Sequence, residues 1–227
     1  MNTGDPIVSQ YTELRREMVE QIARHALLAA RETGKAVLSG NVMEVMKAVP
    51  RHEFVPVELR AFAYSDSPLP IGYDKTISQP FIVALMTDLL DLQPGDRVLD
   101  VGTGLGYQAA ILAKLVDRVY TVEILEELAE GAERRLAEQA TINVEFRVGD
   151  GSIGWSEHAP FDKILVAAAP DLIPTALLAQ LKPGGKMVIP GGIEDAQQLM
   201  LVEKNEKGQL HVEEILPVRF SSLNVGN

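Results

Sequence analysis

The 227-residue sequence predicts a doubly wound α/β domain, a mostly parallel sheet with helices on both faces. A helical N-terminal extension precedes it and an antiparallel hairpin ends it. Three observations carry this prediction. After Pro94-Gly95, short β-rich runs alternate with helical windows. A glycine turn, "VGTGLG", follows the first of these runs and opens a helix. Near the end, two strand-like runs are joined by the polar turn "KNEKGQ".

Taken in order, the first helix is expected from Tyr11 to Glu32, with a bend or break inside. Its apolar residues Leu14, Met18, Ile22 and Leu27 or Leu28 recur on a helical period. A second, short helix lies in "GKAVLSGNVMEVMKAVP", with Asn41 as its cap and Pro50 as its stop. Arg51 to Asp74 is aromatic, polar and broken by proline, which predicts an irregular segment over the main domain. "QPFIVALMTDLLDL" is a third helix started by Pro80, where a missing amide proton costs little.

The strands follow at Arg97–Gly102, Val119–Ile124, Val144–Asp150, Phe161–Ala169 and Gly185–Pro190. Helices are expected over Gln108–Leu115, Glu126–Ala140 and Pro174–Leu181. Alternation at this spacing requires right-handed crossovers and hence parallel strands.

Composition narrows the setting. With 46% hydrophobic residues the chain can bury a core without staples, and with no cysteine it has no disulfide, thiolate nucleophile or cysteine metal site. The net charge of -11 disfavours nonspecific attraction to nucleic acid or an anionic membrane. No apolar run approaches the ~18 residues of a membrane span. A cytoplasmic protein with neither nucleic-acid nor membrane partner is the expectation, and a monomer is the simplest form. His25, His52, His158 and His211 are scattered without ligand spacing, so no metal is implied.

In the glycine turn, Gly102 allows the tight turn, Gly104 close approach of a ligand, and Gly106 close packing of the following helix. Glu123 ends the next strand, 21 residues after Gly102, where a carboxylate reaches a ribose diol. Asp100 has two open roles, orienting the loop or meeting a ligand amine. Asp150, at the tip of "GDGSIGW", can accept from an adenine amino group. "AAAP", Ala167 to Pro170, carries no group suited to a nicotinamide and reads as a wall of small residues. These loops describe a pocket for one nucleoside with a compact polar tail, which S-adenosylmethionine would fill.

These stretches, with "VPRHEFVP", "AYSDSPLPIG", "TISQP", "APFDKILVAAAP" and "PVRF" in order, resemble the protein-L-isoaspartate (D-aspartate) O-methyltransferase family from about Val49 to Phe220. The resemblance implies a seven-stranded sheet of the class I S-adenosylmethionine-dependent methyltransferase type. It divides the chain into N-terminal helices with a substrate-covering segment, 1–78, and a Rossmann-like methyltransferase domain, 79–227. It implies methyl transfer from S-adenosylmethionine to the free α-carboxylate of L-isoaspartyl and some D-aspartyl residues in damaged proteins. Succinimide formation and repair follow from the ester. Ser78 corresponds to the family's active-site residue, and Thr76 and Ile77 shape the mouth beside it. Cofactor contacts are implied for Ser78, Asp100, Gly102, Thr103, Gly104, Gly106, Tyr107, Glu123, Ile124, Asp150 and Gly151. Substrate contacts are implied for Thr76, Ile77, Ala168, Pro170, Val218 and Arg219.

A carboxylate is already ionised at neutral pH, so no general base is needed. Ser78 is then read as an orienting hydroxyl, with capping of the Pro80 helix as its other open role. The amides of that helix start would also suit a carboxylate. Arg219 is open between substrate contact and a structural ion pair, whereas Trp155 reads as packing. The chain departs from the family's usual Gly-x-Gly-Gln at Gly72-Tyr73-Asp74-Lys75, which points to this lip as a determinant of substrate choice. A carboxyl methyltransferase for another peptide or small acid, a non-catalytic nucleoside-binding module and a dinucleotide oxidoreductase are the rival readings.

Overall fold

Helix α1 (Pro6–Leu28) begins the computed structural model, which describes residues 6–193 and 195–224, with side chains from residue 10 onward. Met18, Ile22 and Ala26 are fully buried along one stripe, whereas Leu27 and Leu28 are 64% and 83% exposed. The expected stripe therefore ends differently. A four-residue step from Ile22 lands on Ala26 and turns the two leucines outward. The expected break falls at Ala29, before the single turn α2 (Ala30–Thr33), which left-handed Gly34 closes by donating its N–H to the Ala30 carbonyl.

Helix α3 (Gly40–Ala48) is capped by Ser39, whose hydroxyl accepts the Val42 N–H, and not by Asn41, which lies inside the first turn. Two 3₁₀ turns, Arg51–Glu53 and Val57–Phe62, lead into a small hairpin that the expected irregular segment concealed. Strands β1 (Leu69–Gly72) and β2 (Lys75–Ile77) pair antiparallel around Tyr73 and Asp74. Both turn residues are left-handed, at φ 53° and 54°, the backbone a two-residue hairpin needs. Without an Asn-Gly or Asp-Gly pair the sequence does not advertise it.

Helix α4 (Pro80–Leu89) starts at Pro80 as expected and is buried on nearly every side. Asp88 fastens the preceding link to it, accepting from Lys35 Nζ at 2.6 Å and the Ser39 N–H at 2.7 Å. The sheet follows: β3 (Arg97–Val101), α5 (Tyr107–Ala113), β4 (Arg118–Glu123), α6 (Glu126–Glu138), β5 (Val144–Val148), β6 (Phe161–Val166), α7 (Thr175–Gln180), β7 (Leu181–Gly191), β8 (Gln198–Lys204) and β9 (Leu210–Pro217). Its order is β5-β4-β3-β6-β7-β8-β9. The first five in that order run parallel, and β8 and β9 add antiparallel as the expected hairpin.

Alternate residues of the central strands β3, β4, β6 and β7 feed two cores. Val98, Val119, Leu165 and Val188 join the cluster that includes Met18, Ile22 and much of α4 and α5. Leu99, Tyr120, Ile164 and Met187 face the other cluster, with Leu177 of α7 and Trp155. This period of two, buried on both faces, is what a covered parallel sheet requires. Among the described residues no helix is long and apolar enough to cross a membrane.

Candidate active site

The chain runs from β3 outward through β4 and β5, then returns to place β6 on the other side of β3. Strand order thus reverses between β3 and β6, and the crevice beyond their carboxyl ends is where open α/β sheets bind ligands. Gly102 follows β3 there and donates its N–H to the Val122 carbonyl at 2.9 Å, pinning the loop to β4. Glu123, the buried last residue of β4, accepts the Gly104 N–H at 2.8 Å and the Leu125 N–H at 3.1 Å. One carboxylate therefore ties two loops together, and each oxygen keeps a lone pair for a further donor.

The glycines differ in what they permit. At Gly104 (φ 54°) a Cβ would meet only Ile71 Cδ1, at 3.7 Å, so its bareness keeps the cavity wall low. At Gly106 (φ 89°) a Cβ would stand 2.7 Å from Leu136 Cδ1 and 3.1 Å from Ala132 Cβ. The close packing at Gly106 is thus between the α5 entrance and α6.

Beneath the loop lies a buried polar chain. Thr121 donates to Asp100 Oδ2 at 2.8 Å and shares a 2.6 Å hydrogen bond with Thr103. Among the described residues Asp100 Oδ1 has no hydrogen-bond partner, although it is buried. Burial pushes this carboxyl up to about 7, with Glu123 adding repulsion and the Thr121 hydroxyl opposing both.

Ser78 leaves the β1–β2 hairpin just before α4. Its hydroxyl does not cap that helix. Asp66 does so instead, accepting the Phe81 N–H at 2.8 Å on Oδ1 while Oδ2 lies 2.9 Å from His25 Nδ1. With no N–H on Pro80 and the Phe81 amide taken, the helix start offers a carboxylate fewer amides than its position suggests. The Ser78 carbonyl accepts from Arg51 Nη2 at 2.8 Å, and its hydroxyl makes no hydrogen bond to a described residue.

Two cavities share this lip. The first is lined by Ser78, Gly102, Gly104, Glu123, Ile124 and Gly151, with Thr76 and Ala168 also in its wall. Its remaining lining includes Lys75 of the hairpin and Phe220 to Asn224 of the C-terminal segment. The second is a groove lined by His25, Ile82, Val218 and Arg219, among others. Thr76, Ser78 and Phe220 belong to both.

The other anticipated residues stand behind these walls. Ile77 is in the core, Thr103 and Asp100 brace the loop, and Tyr107 packs edge-on against Phe54. Asp150 caps the 3₁₀ turn Gly151–Ile153 through the Ser152 N–H, and the Pro170 carbonyl accepts the Gly192 N–H. Trp155 packs against Tyr120 and His158, as read. Arg219 makes no ion pair with a described residue and lines the groove. Sequence reasoning missed Arg51, Asp66 and His25, because their hydrogen bonds join segments 12 to 54 residues apart.

A family model for protein-L-isoaspartate(D-aspartate) O-methyltransferase (PCMT) matches residues 22–226. The chain belongs to this family. Within the PCMT family it is similar to protein-L-isoaspartate O-methyltransferase 1 of Polaromonas sp., 55% identical over 98% of both chains. It is also 55% identical to protein-L-isoaspartate O-methyltransferase 2 of Syntrophobacter fumaroxidans, over 96% of this chain and 88% of that one. A solved protein-L-isoaspartate O-methyltransferase superposes with TM-score 0.79 at 27% identity, covering 92% of this chain and 66% of that longer one. A putative PCMT of Plasmodium falciparum, solved with S-adenosyl-L-homocysteine, shares the fold at TM-score 0.77 and 23% identity, over 92% and 98% of the two chains. The class I methyltransferase fold expected from the resemblance is the one observed.

Proposed function

We propose that this PCMT-family chain methylates the free α-carboxylate of L-isoaspartyl, and some D-aspartyl, residues in damaged proteins, using S-adenosylmethionine. The observation that carries this reading is the meeting of two cavities at Thr76, Ser78 and Phe220. A cofactor pocket and a peptide groove must touch where a methyl group passes between them. In this reading Gly102, Gly104, Glu123, Ile124 and Gly151 hold the cofactor, Glu123 through the ribose diol, while Asp100 braces the loop from behind. Thr103, Gly106, Tyr107 and Asp150 support those contacts from behind. When bound, S-adenosylmethionine supplies a methyl group already activated by its sulfonium.

The residues around the junction have positioning work to do. A substrate carboxylate of pKa near 4 arrives ionised, so no side chain has to remove a proton. The free Ser78 hydroxyl donates one hydrogen bond to it and fixes which oxygen points at the cofactor pocket. A full salt bridge there would stabilise the reactant charge more than the transition state, in which that charge is being lost. Val218 and Arg219 hold the peptide in the groove, Ala168 forms the small-residue wall with Pro170 behind it, and Thr76 and Phe220 exclude water at the junction with Ile77 packed beneath. Residues 1–78 act as the covering segment and 79–227 as the methyltransferase domain, in a cytoplasmic monomer. Transfer of tritium from methyl-labelled S-adenosylmethionine to an isoaspartyl peptide, as a base-labile ester, tests the reading. Absence of transfer at saturating peptide contradicts it.

A further inference from the structure

We propose that Arg51 is a positioning residue that sets where Ser78 stands relative to the glycine loop. The side chain is fully buried, yet among the described residues it faces no carboxylate within ion-pair distance. Its Nε donates to the Ala63 carbonyl at 2.9 Å and its Nη2 to the Ser78 carbonyl at 2.8 Å. Its guanidinium lies over the Tyr107 ring, 4.9 Å from the centroid, and Tyr107 is the first residue of α5, directly after Gly106. One rigid planar group therefore touches three parts at once: the segment covering the site, the lip that carries Ser78, and the helix that follows the cofactor loop.

Its surroundings make a purely stabilising role a poor explanation. Burial pulls its pKa down to about 10, against the favourable influence of Tyr107, Asp66 and Tyr64, so the fold pays to keep this charge inside. Nη1 is buried without a partner, as is the Tyr107 hydroxyl. A leucine or methionine would fill such a place without those penalties. What an apolar residue lacks is a fork that holds two carbonyls at fixed separation, and a lysine, as a single point donor, lacks it too. The hydrogen bond goes to the backbone of Ser78 and leaves the hydroxyl free, so Arg51 fixes the residue's position without touching substrate.

This rests on the function proposed above. The test compares Arg51→Lys and Arg51→Met with the unaltered protein. Turnover of an isoaspartyl peptide should fall about tenfold in Arg51→Lys and about a hundredfold in Arg51→Met, the scale of a misplaced reacting group. The dissociation constant for S-adenosylhomocysteine should change less than about twofold. Hydrogen–deuterium exchange over residues 75–79 should rise about tenfold relative to β3, because local opening there no longer breaks the Arg51 contacts. Unchanged turnover and exchange would overturn the proposal. So would a loss of S-adenosylhomocysteine affinity that matches the loss of turnover, or failure of both variants to fold. If the unaltered protein transfers no methyl group, the proposed function fails, and the exchange measurement still decides the role of Arg51.

Discussion

Asparagine in place of Asp100 removes a buried charge while keeping an acceptor for the Thr121 hydroxyl. In the native protein burial raises this carboxyl from an ordinary 3.8 to about 7, with Glu123 adding to the effect and Thr121 opposing it. An acid whose folded pKa lies above its unfolded value binds extra protons in the native state. Its favourable contribution is complete below about pH 4 and is lost as pH rises toward 7. A shift of this size corresponds to about 4 kcal/mol of disfavoured ionised form. Above pH 7 the ligand-free Asp100→Asn variant should therefore be the more stable protein, melting about 10 °C higher for a chain of this size. Near pH 4 the two should melt together. Thermal unfolding followed by circular dichroism at pH 4.5, 6 and 8 reads this directly. Parallel melting curves at all three pH values would refute the argument that Asp100 is buried without compensation.

Other outcomes follow from the geometry. Gly106→Ala should destabilise the fold by about 2–4 kcal/mol, through overpacking against Leu136 and Ala132 added to its left-handed backbone, whereas Gly104→Ala should cost about 1 kcal/mol for its left-handed backbone alone. Chemical denaturation compares them, and Gly104→Val should lose S-adenosylhomocysteine binding, as read by calorimetry. Ser78→Ala should lower turnover with cofactor affinity retained and the melting temperature nearly unchanged. Asp66→Ala should instead cost about 1 kcal/mol, the usual loss for a missing helix cap. A melting temperature that falls in Ser78→Ala and not in Asp66→Ala would reverse those two assignments.

The parallel sheet was legible because β3, β4, β6 and β7 carry short apolar runs buried on both faces, and helices α5 and α6 interrupt the strands at crossover spacing. The glycine turn and Glu123 were legible because their spacing is dictated by one strand-turn-helix unit. Contacts between distant segments were not. Nothing near Ser78 announces that Asp66 caps its helix or that Arg51 holds its carbonyl. The β1–β2 hairpin escaped because Tyr73 and Asp74 adopt left-handed backbone without glycine or asparagine, and tertiary context overrides their local preference. Ser221 Oγ donates to the Asp74 carbonyl at 3.2 Å, one such tertiary contact. The same structure refines the reading of the lip: Lys75 lines the first cavity, whereas Tyr73 at the exposed hairpin tip lines neither.

In the function proposed above, the junction at Thr76, Ser78 and Phe220 presents an isoaspartyl α-carboxylate to the cofactor pocket. Methyl transfer to two peptides that differ only in an isoaspartyl or aspartyl linkage at one position tests it most directly, with mass analysis for the succinimide. The isoaspartyl peptide should yield ester and succinimide, and its twin essentially none. Equal methylation of both peptides would contradict it.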